Sequence, residues 1–488
     1  MERKPSWWVS LIPFVVLVGI LALVIKFYGS DSLAGGSQTA LVICTGLVLT
    51  IALTVYRIPW SVLDEAIMTN IKSIGSAMII LLLIGAIAGS WMISGIVPTL
   101  ICYGLKILSP KIFLLAVCLI CCLVSLMTGS SWTTIATIGV AFIGIGMALG
   151  YSAPLTAGAI ISGAYFGDKI SPLSDTTNLA SSVTGTPLFT HIRYMMITTV
   201  PSIVISCILF LVISISHSSS DAIRVEEISG ALHSIFHISP WLLLVPALTG
   251  ILIAKKVPAL LTLLAAALMA SVMALIAQPE IVASVGGSDA LTFASGFKGT
   301  LLCLYGDTAV TTGNVMMDEL VQTHGMCGML STIFLILCAA AFGGAMTGAG
   351  MIQSITEMLT RRIRRRTSLV ASTVGTGLFC NMVAGDQYLS IILTCSLYKD
   401  LYQKNGYESR LLSRSTEDSA TVTSVLIPWN SCGMTQATVL RVPTIEYLPY
   451  CFFNIISPLM SITVAAIGYK IFSTSRQSDS SSSVCSER

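Results

Sequence analysis

Four polar clusters interrupt otherwise apolar stretches of this chain: 128–134, 167–178, 381–388 and 417–431. Carboxylate, hydroxyl and amide oxygens dominate them, and the prolines and glycines among them release backbone carbonyls from helices. Hard cations such as Na⁺ prefer oxygen ligands, whereas thiols and imidazoles suit softer metals. The clusters therefore indicate sites for small cations, and we expect no cofactor besides such cations.

The candidate ligands are the polar side chains of these clusters. They are Ser130, Ser131, Asp168, Ser171, Ser174, Asp175, Thr176, Thr177, Asn178, Asn381, Asp386, Glu417, Asp418, Thr421, Thr423 and Asn430. Acidic residues inside a membrane are costly, so a function is their default explanation. Burial disfavours an ionised carboxylate and a nearby cation favours it, so one aspartate can hold either a proton or Na⁺. We interpret Lys169 as the counter-ion of Asp168, which leaves Asp175 as the preferred exchange carboxylate.

Simpler interpretations exist for several of these residues. Asp168 can pair with Lys169 for structural reasons alone, and the serines at 130 and 131 can bond helix carbonyls locally. Glu417 and Asp418 follow Arg414 and can belong to a cytoplasmic rim of the protein.

Composition predicts an all-α polytopic membrane protein. Of 488 residues, 54% are hydrophobic and 10% are charged, and apolar runs of about 20 residues recur along the chain. A net charge of +3 gives no reason to expect a nucleic-acid partner. Fourteen cysteines are present, but the CxxC spacing at Cys118–Cys121 has no second pair or histidine near it in the sequence, which argues against zinc.

Clear membrane spans are predicted at about 8–27, 38–56, 74–93, 111–127, 132–150, 194–216, 239–255, 258–277, 327–347 and 449–472. Short or interrupted segments are ambiguous: 154–167, 176–188, 291–304, 368–383, 386–398 and 416–440. Irregular backbone at membrane depth must line a cavity or pack against protein. The broken segments therefore mark the place where a site is expected.

Three matches between the two halves predict a pair of related repeats. Residues 89 and 343 lie 254 apart, Gly129 and Gly385 lie 256 apart, and Asp168 and Asp418 lie 250 apart. Broken helices in corresponding halves are typical of secondary transporters, and we interpret the repeats as inverted. Loops that correspond in the two halves both carry basic residues. This argues against inversion, because inversion would place those loops on opposite sides of the membrane. The predicted regions are an N-terminal helix pair (1–59), a first repeat (60–216), a connection with linking helices (217–310), a second repeat (311–472) and a disordered tail (473–488).

Basic residues set the predicted orientation. Arg3 and Lys4, with Arg57 after the second span, place the N-terminus in the cytoplasm. A later basic run acts as a topological anchor beside a span, an interpretation we prefer to a nucleic-acid patch. That run comprises Arg361, Arg362, Arg364, Arg365 and Arg366.

Three blocks resemble the NhaC family of sodium/proton antiporters: 163–180, 385–390 and 417–430. The resemblance extends over about residues 60–465, and the first block is very specific. It implies a bacterial inner-membrane antiporter that exchanges Na⁺ for H⁺, with broken helices or re-entrant hairpins in inverted repeats. It also implies a homodimer whose other partners are the lipid bilayer and small cations.

The same family contains exchangers that couple organic acids such as malate and lactate to these ions. That is the alternative function, with an organic acid as a further partner. The core motifs contain Lys169 but no basic pair that would hold a dicarboxylate, which favours pure cation exchange. An intramembrane aspartyl protease using Asp168 and Asp386 is a third hypothesis, but Gly-Asp alone is a weak motif. An ion channel would be expected to show a filter repeat. We therefore predict a transporter and not an enzyme.

Overall fold

The computed structural model describes residues 5–28, 35–216, 222–255, 257–308, 321–360 and 365–472. These ranges are almost entirely helical, and their only extended pairing is one isolated bridge between Thr308 and Thr323. The all-α prediction is confirmed. The predicted tail at 473–488 lies outside the described residues.

The helices of the first half are α1 (Trp7–Tyr28), α2 (Gly36–Thr54), α3 (Trp60–Ser73), α4 (Gly75–Ile93), α5 (Ile96–Ile107), α6 (Phe113–Thr128), α7 (Ser131–Thr134), α8 (Val140–Ala148), α9 (Ala153–Ile170), α10 (Asp175–Thr184), α11 (Leu188–Ser216) and α12 (Ala222–Ile235). Those of the second half are α13 (Leu244–Ala254), α14 (Ala259–Ala277), α15 (Pro279–Val285), α16 (Phe293–Tyr305), α17 (Leu330–Gly348), α18 (Met351–Thr360), α19 (Arg366–Ala384), α20 (Gln387–Lys404), α21 (Ser409–Thr416), α22 (Ser431–Leu440), α23 (Thr444–Tyr447) and α24 (Phe452–Ile467). Five-residue π-helical turns lie at Ile135–Gly139 and Glu417–Thr421.

Among the described residues, nine helical segments are long and apolar enough to cross a membrane, and two bent helix pairs raise the number to eleven if each is one span. All ten spans predicted as clear fall on helices. The ambiguous segment 368–383 also proves to be a full-length apolar helix, α19. The broken character predicted for 416–440 is confirmed, since a π-helical turn, a 3₁₀ turn at Ser424–Leu426 and a short non-helical stretch separate α21 from α22.

Close packing of α6 against α9 fixes the centre of the first half. Gly163 and Gly167 face the backbone of α6, where a Cβ would lie 2.2 Å from the Cys118 carbonyl oxygen and 2.4 Å from that of Cys122. Small residues at a helix contact allow such an approach inside a membrane. Because α9 lies this close to α6, its C-terminal end reaches the point where α6 stops.

Candidate functional site

The first break in the helices follows α6. Gly129 adopts a left-handed conformation (φ 68°), which ends α6, and Ser130 then caps the start of α7 by accepting a hydrogen bond from the Thr133 N–H at 3.2 Å. Glycine adopts this conformation without steric cost, and serine is a preferred N-terminal cap. The polar cluster at 128–134 therefore forms a break between two helices, α6 and α7, and hydroxyl groups surround this break.

Asp168 of α9 is bound to this break. Its Oδ2 atom accepts a hydrogen bond from the Ser131 backbone N–H at 3.0 Å and another from the Ser131 hydroxyl at 2.7 Å. The Asp168 side chain is only 7% exposed. Because the first N–H groups of a helix have no partner within it, a carboxylate is a favourable acceptor there. The two predicted site residues are thus brought together.

The second break separates α9 from α10 and lies directly against the first. We call the two breaks together, residues 128–131 and 170–175, the first crossing. The Ser171 hydroxyl donates to the Leu126 carbonyl at 2.9 Å, which ties this break to the end of α6. Ser174 caps α10 and its hydroxyl lies 3.0 Å from that of Thr176, while the Thr177 hydroxyl donates to the Lys169 carbonyl at 2.9 Å. These side chains are engaged in holding the break itself.

Asp175 and Asn178 differ from their neighbours because both are exposed. The Asn178 amide donates to the Pro172 and Ser174 carbonyls at 3.1 and 2.8 Å, so it stabilises the turn. Asp175 is the first residue of α10 and faces the cavity described below.

Replacing Gly129 with alanine is expected to destabilise the protein strongly. A Cβ there would lie 2.6 Å from the Cβ of Leu173 and 2.8 Å from its carbonyl carbon, in addition to the left-handed strain. Strain of about 1–2 kcal/mol and overpacking of about 1–3 kcal/mol should add. Gly185 is the matched control, since its φ is 73° with nothing within 4 Å of an added Cβ. Thermal unfolding in detergent should show a clearly larger loss for Gly129→Ala than for Gly185→Ala, and equal losses would contradict the crossing described here.

A second crossing of similar construction lies in the other half. Gly385 (φ 66°) ends α19, and Asp386 caps α20 by accepting from the Leu389 N–H at 2.9 Å. The first residue of α22, Ser431, donates its N–H to the Gly385 carbonyl at 2.8 Å, and its hydroxyl lies 3.3 Å from Asp386 Oδ2. Asp386 is therefore buried at a helix break, as Asp168 is.

Asparagines hold this second crossing together. The Asn381 amide donates to the Ala420 carbonyl at 2.7 Å and to the Thr423 hydroxyl at 3.0 Å. The Asn430 amide donates to the Asn381 carbonyl at 3.1 Å. The carbonyl of Thr421 accepts from the Gln387 amide at 3.1 Å, while its buried hydroxyl has no hydrogen-bond partner among the described residues.

The two crossings share one spacing. The left-handed glycines, 129 and 385, are 256 residues apart, and so are the capping residues Ser174 and Asn430. The match between Asp168 and Asp418 does not follow this spacing, because these two residues lie 250 residues apart. Residue 424, and not Asp418, stands 256 residues after Asp168.

A cavity of about 370 Å³ opens where the first crossing meets the start of α20. Both carboxylates of the second polar cluster, Asp168 and Asp175, lie on its wall. Further lining residues include Thr128, Ser130, Trp132, Thr133, Thr176, Gln387 and Tyr388. Gln387 and Tyr388 belong to the polar cluster at 381–388 and Trp132 to the one at 128–134, but none of the three was predicted as a ligand. The signal in the sequence that could have identified them is their position just after the capping residues of broken helices.

The interpretation of Lys169 as the counter-ion of Asp168 is wrong. Its ammonium group forms an ion pair with Asp418 and donates to the Ser457 hydroxyl at 3.1 Å. Consecutive residues of a helix point about 100° apart, so Asp168 and Lys169 face different neighbours. The Thr198 hydroxyl donates to the same Asp418 oxygen at 3.0 Å. Lys169 and Asp418 are fully buried.

The interpretation of Glu417 and Asp418 as a cytoplasmic rim is also wrong, because Arg414, Glu417 and Asp418 are all fully buried. The Arg414 guanidinium stacks over the Tyr194 ring at 4.7 Å and lies 3.8 Å from Asp418 Oδ2. Within the described ranges the core thus contains two buried cations, Lys169 and Arg414, where one was expected. The sequence signal for this contact was the i, i+4 spacing of Arg414 and Asp418, which places both side chains on one face of a helix.

Part of the predicted arginine anchor can be located. Arg361, Arg362 and Arg364 lie outside the described residues. Arg365 precedes α19, and the Arg366 guanidinium donates to the Ala465 carbonyl at 2.7 Å, near the C-terminal end of α24. Cations are favourable at that end of a helix. The anchoring role itself stays a prediction.

Membrane-length helices that break around a cavity with carboxylates and hydroxyls on its wall are typical of multi-pass membrane transporters. Asp168 and Asp386, the pair considered for a protease, belong to separate crossings and contact different partners.

More particularly, the chain belongs to the Na⁺/H⁺ antiporter family, whose model matches residues 163–469. It is 38% identical over 468 residues to the Na⁺/H⁺ antiporter NhaC of Alkalihalophilus pseudofirmus, covering 96% of this chain and 97% of that protein. It is 35% identical to the Na⁺/H⁺ antiporter NhaC of Bacillus subtilis, covering 86% and 90%. It is 32% identical to the malate-2H⁺/Na⁺-lactate antiporter of Bacillus subtilis, covering 95% and 96%. The resemblance to the NhaC family is confirmed.

Proposed function

We propose that this chain exchanges Na⁺ for H⁺ across the membrane and that the two cations compete for Asp168. The observation that carries the proposal is the position of this carboxylate. It is almost fully buried, lies on the wall of the 370 Å³ cavity, and forms no ion pair with any basic side chain of the described ranges. A cation from the cavity is then its natural partner.

Competition follows from the surroundings of Asp168. Its two hydrogen bonds from Ser131 favour the ionised form, and burial favours the protonated form when no cation is present. Na⁺ binding therefore promotes loss of the proton, and protonation expels Na⁺. Asp175 is more exposed, so desolvation acts less on its charge. We accordingly assign the exchange to Asp168 and give Asp175 the role of attracting cations into the cavity.

Organic-acid exchange is less well supported. The similar malate-2H⁺/Na⁺-lactate antiporter keeps it as an alternative. However, the cavity wall carries two carboxylates, which would repel a dicarboxylate. The buried cations Lys169 and Arg414 are directed to Asp418, and neither belongs to the cavity lining.

We further propose that the two halves are inverted repeats, that the N-terminus is cytoplasmic and that the protein acts as a homodimer in a bacterial inner membrane. The shared 256-residue spacing of the crossings supports the repeats. Orientation rests on the basic residues near the N-terminus, and the dimer rests on the family resemblance.

Purified full-length protein in vesicles loaded with a pH indicator tests the exchange. Addition of Na⁺ outside should drive proton efflux, and parallel additions of Li⁺ and K⁺ rank the cations. Labelled malate and lactate, offered under the same gradients, test the alternative. Labelled organic-acid uptake without Na⁺-driven proton flux would overturn the proposal.

A further inference from the structure

A second cavity, of about 180 Å³, lies beside α4 and the π-helical turn that follows α7. The segment at 324–329 and the C-terminal end of α22 complete its wall. Most of its lining is apolar, and the polar side chains on it are those of His324, Thr438 and Arg441. One water molecule occupies roughly 30 Å³ in the liquid, so this space admits a monovalent cation with several water molecules.

The second cavity continues the line of the 370 Å³ cavity, here called the first cavity, along the same two helical segments. Ile80 of α4 lines the first cavity and Ile84 lines the second. On the segment that begins with α7, Thr133 lines the first cavity and Ala136 lines the second. Residues three or four apart share one face of a helix, and four residues advance about 6 Å along its axis. Roughly one helical turn therefore separates the two cavities.

The two cavities lie towards opposite ends of α4. Ser76, the second residue of this helix, lines the first cavity and is exposed. Ala88 lines the second cavity, about 18 Å further along the helix axis. His324, which also lines the second cavity, is 51% exposed. Because α4 belongs to a membrane-length segment, the two cavities face opposite sides of the membrane.

Arg441 bridges the exposed end of the second cavity. It follows α22 in a left-handed conformation (φ 55°), which is uncommon for a residue other than glycine. In this conformation its guanidinium donates a hydrogen bond to the Gln322 carbonyl. Residues 321–324 are held in turn by the bridge between Thr308 and Thr323, whose backbone N–H groups donate to each other's carbonyls at 2.8 and 2.9 Å. The side chain of Arg441 thus joins the end of α22 to the segment on the other side of the cavity.

We propose that the second cavity is the passage of the transported cation to the side of the membrane opposite the first cavity, and that the contact between Arg441 and Gln322 closes this passage. A secondary transporter exposes its site to each side in turn. In this structure the first cavity reaches Asp168, and the helical turn between Ile80 and Ile84 separates it from the second. Release of Arg441 from residues 321–324 frees the end of α22 to move away from α4. The inference rests on the proposed function, because it takes Asp168 as the cation site.

Thiol labelling from each side of the membrane tests the passage. Ser76→Cys and Ala88→Cys place a thiol in the first and in the second cavity, on one helix. A membrane-impermeant methanethiosulfonate that carries a trimethylammonium group is added to right-side-out or inverted vesicles containing the full chain, and labelled peptides are identified by mass spectrometry. Ser76→Cys should react from one side only and Ala88→Cys from the other side only. Reaction of both variants from the same side would overturn the proposal.

The closing contact is tested by adding Arg441→Ala to Ala88→Cys. Labelling should become roughly 2- to 10-fold faster, the range that corresponds to loss of one hydrogen bond between partly exposed groups. Arg57→Ala is the matched control, because Arg57 is also exposed and left-handed (φ 54°) but lines neither cavity. Equal labelling rates with Arg441→Ala and with Arg57→Ala would refute the closing contact, and no labelling from either side would refute the passage.

Labelling needs no transport, so it separates this inference from the proposed function. Na⁺-driven proton flux is measured in Ala88→Cys vesicles before and after both faces are labelled. Wild type treated in the same way is the control, because native Cys327 is exposed. Labelling should stop the flux in Ala88→Cys and leave it unchanged in wild type. Flux that persists in fully labelled Ala88→Cys refutes the passage but not the exchange, whereas labelling from opposite sides in a protein without Na⁺/H⁺ exchange supports the two-sided cavities and refutes the exchange.

Discussion

Replacing Asp168 with asparagine is expected to abolish Na⁺-driven proton flux while leaving the protein folded. An ionised carboxylate and a cation about 4 Å apart attract each other by about 4 kcal/mol at an effective dielectric constant of about 20. Loss of that attraction corresponds to roughly three orders of magnitude in affinity. An asparagine oxygen can still accept the hydrogen bonds from Ser131, so the crossing should persist.

The matched control is Asp400→Asn, which makes the same chemical change at an exposed position late in α20. It should retain wild-type flux in the vesicle assay. Both variants should elute as monodisperse protein and unfold at similar temperatures. Retained exchange in Asp168→Asn would show that the site is assigned to the wrong carboxylate.

The second large effect concerns the buried ion pair. Lys169→Met leaves Asp418 buried without its closest cation, and such a loss typically costs about 3–5 kcal/mol. Thermal unfolding in detergent should show this destabilisation, whereas Lys404→Met, at an exposed position, should be nearly neutral.

A double variant tests whether Lys169 and Asp418 stabilise the fold as an interacting pair or contribute to stability independently. Lys169→Met combined with Asp418→Leu removes both charges, so its destabilisation should be smaller than the sum of the single effects. Arg414 then loses its neighbour 3.8 Å away, so some destabilisation should remain. Strict additivity of the two changes would mean that the ion pair does not couple these residues in the folded protein.

The sequence predicted where helices would be interrupted better than which side chains would meet there. Glycine, proline and hydroxyl residues announce a break locally, and the breaks at Gly129 and Gly385 follow from such signals. The partner of Lys169 is 249 residues away, and local pattern contains no information on such a contact. Adjacency to Asp168 in the sequence suggested a pair that helix geometry does not allow.

Burial was the other property that sequence alone did not give. Arg414 and Glu417 have the composition of a membrane rim, yet they are enclosed by α19, α20 and α11. Asp175 sits in the same motif as Asp168 but is exposed because it begins α10 beside the cavity. These differences depend on how distant helices pack, and the choice of Asp168 over Asp175 became possible only from that packing.

The central claim, that Na⁺ and H⁺ compete for Asp168, is tested most directly by proton release on Na⁺ binding. Na⁺ is added to weakly buffered, detergent-solubilised protein, and the change in pH is measured together with the amount of labelled Na⁺ bound. We expect Na⁺ binding to release protons, apparent Na⁺ affinity to fall as pH is lowered, and both effects to vanish in Asp168→Asn but not in Asp400→Asn. Na⁺ binding that is independent of pH and releases no proton would contradict the account.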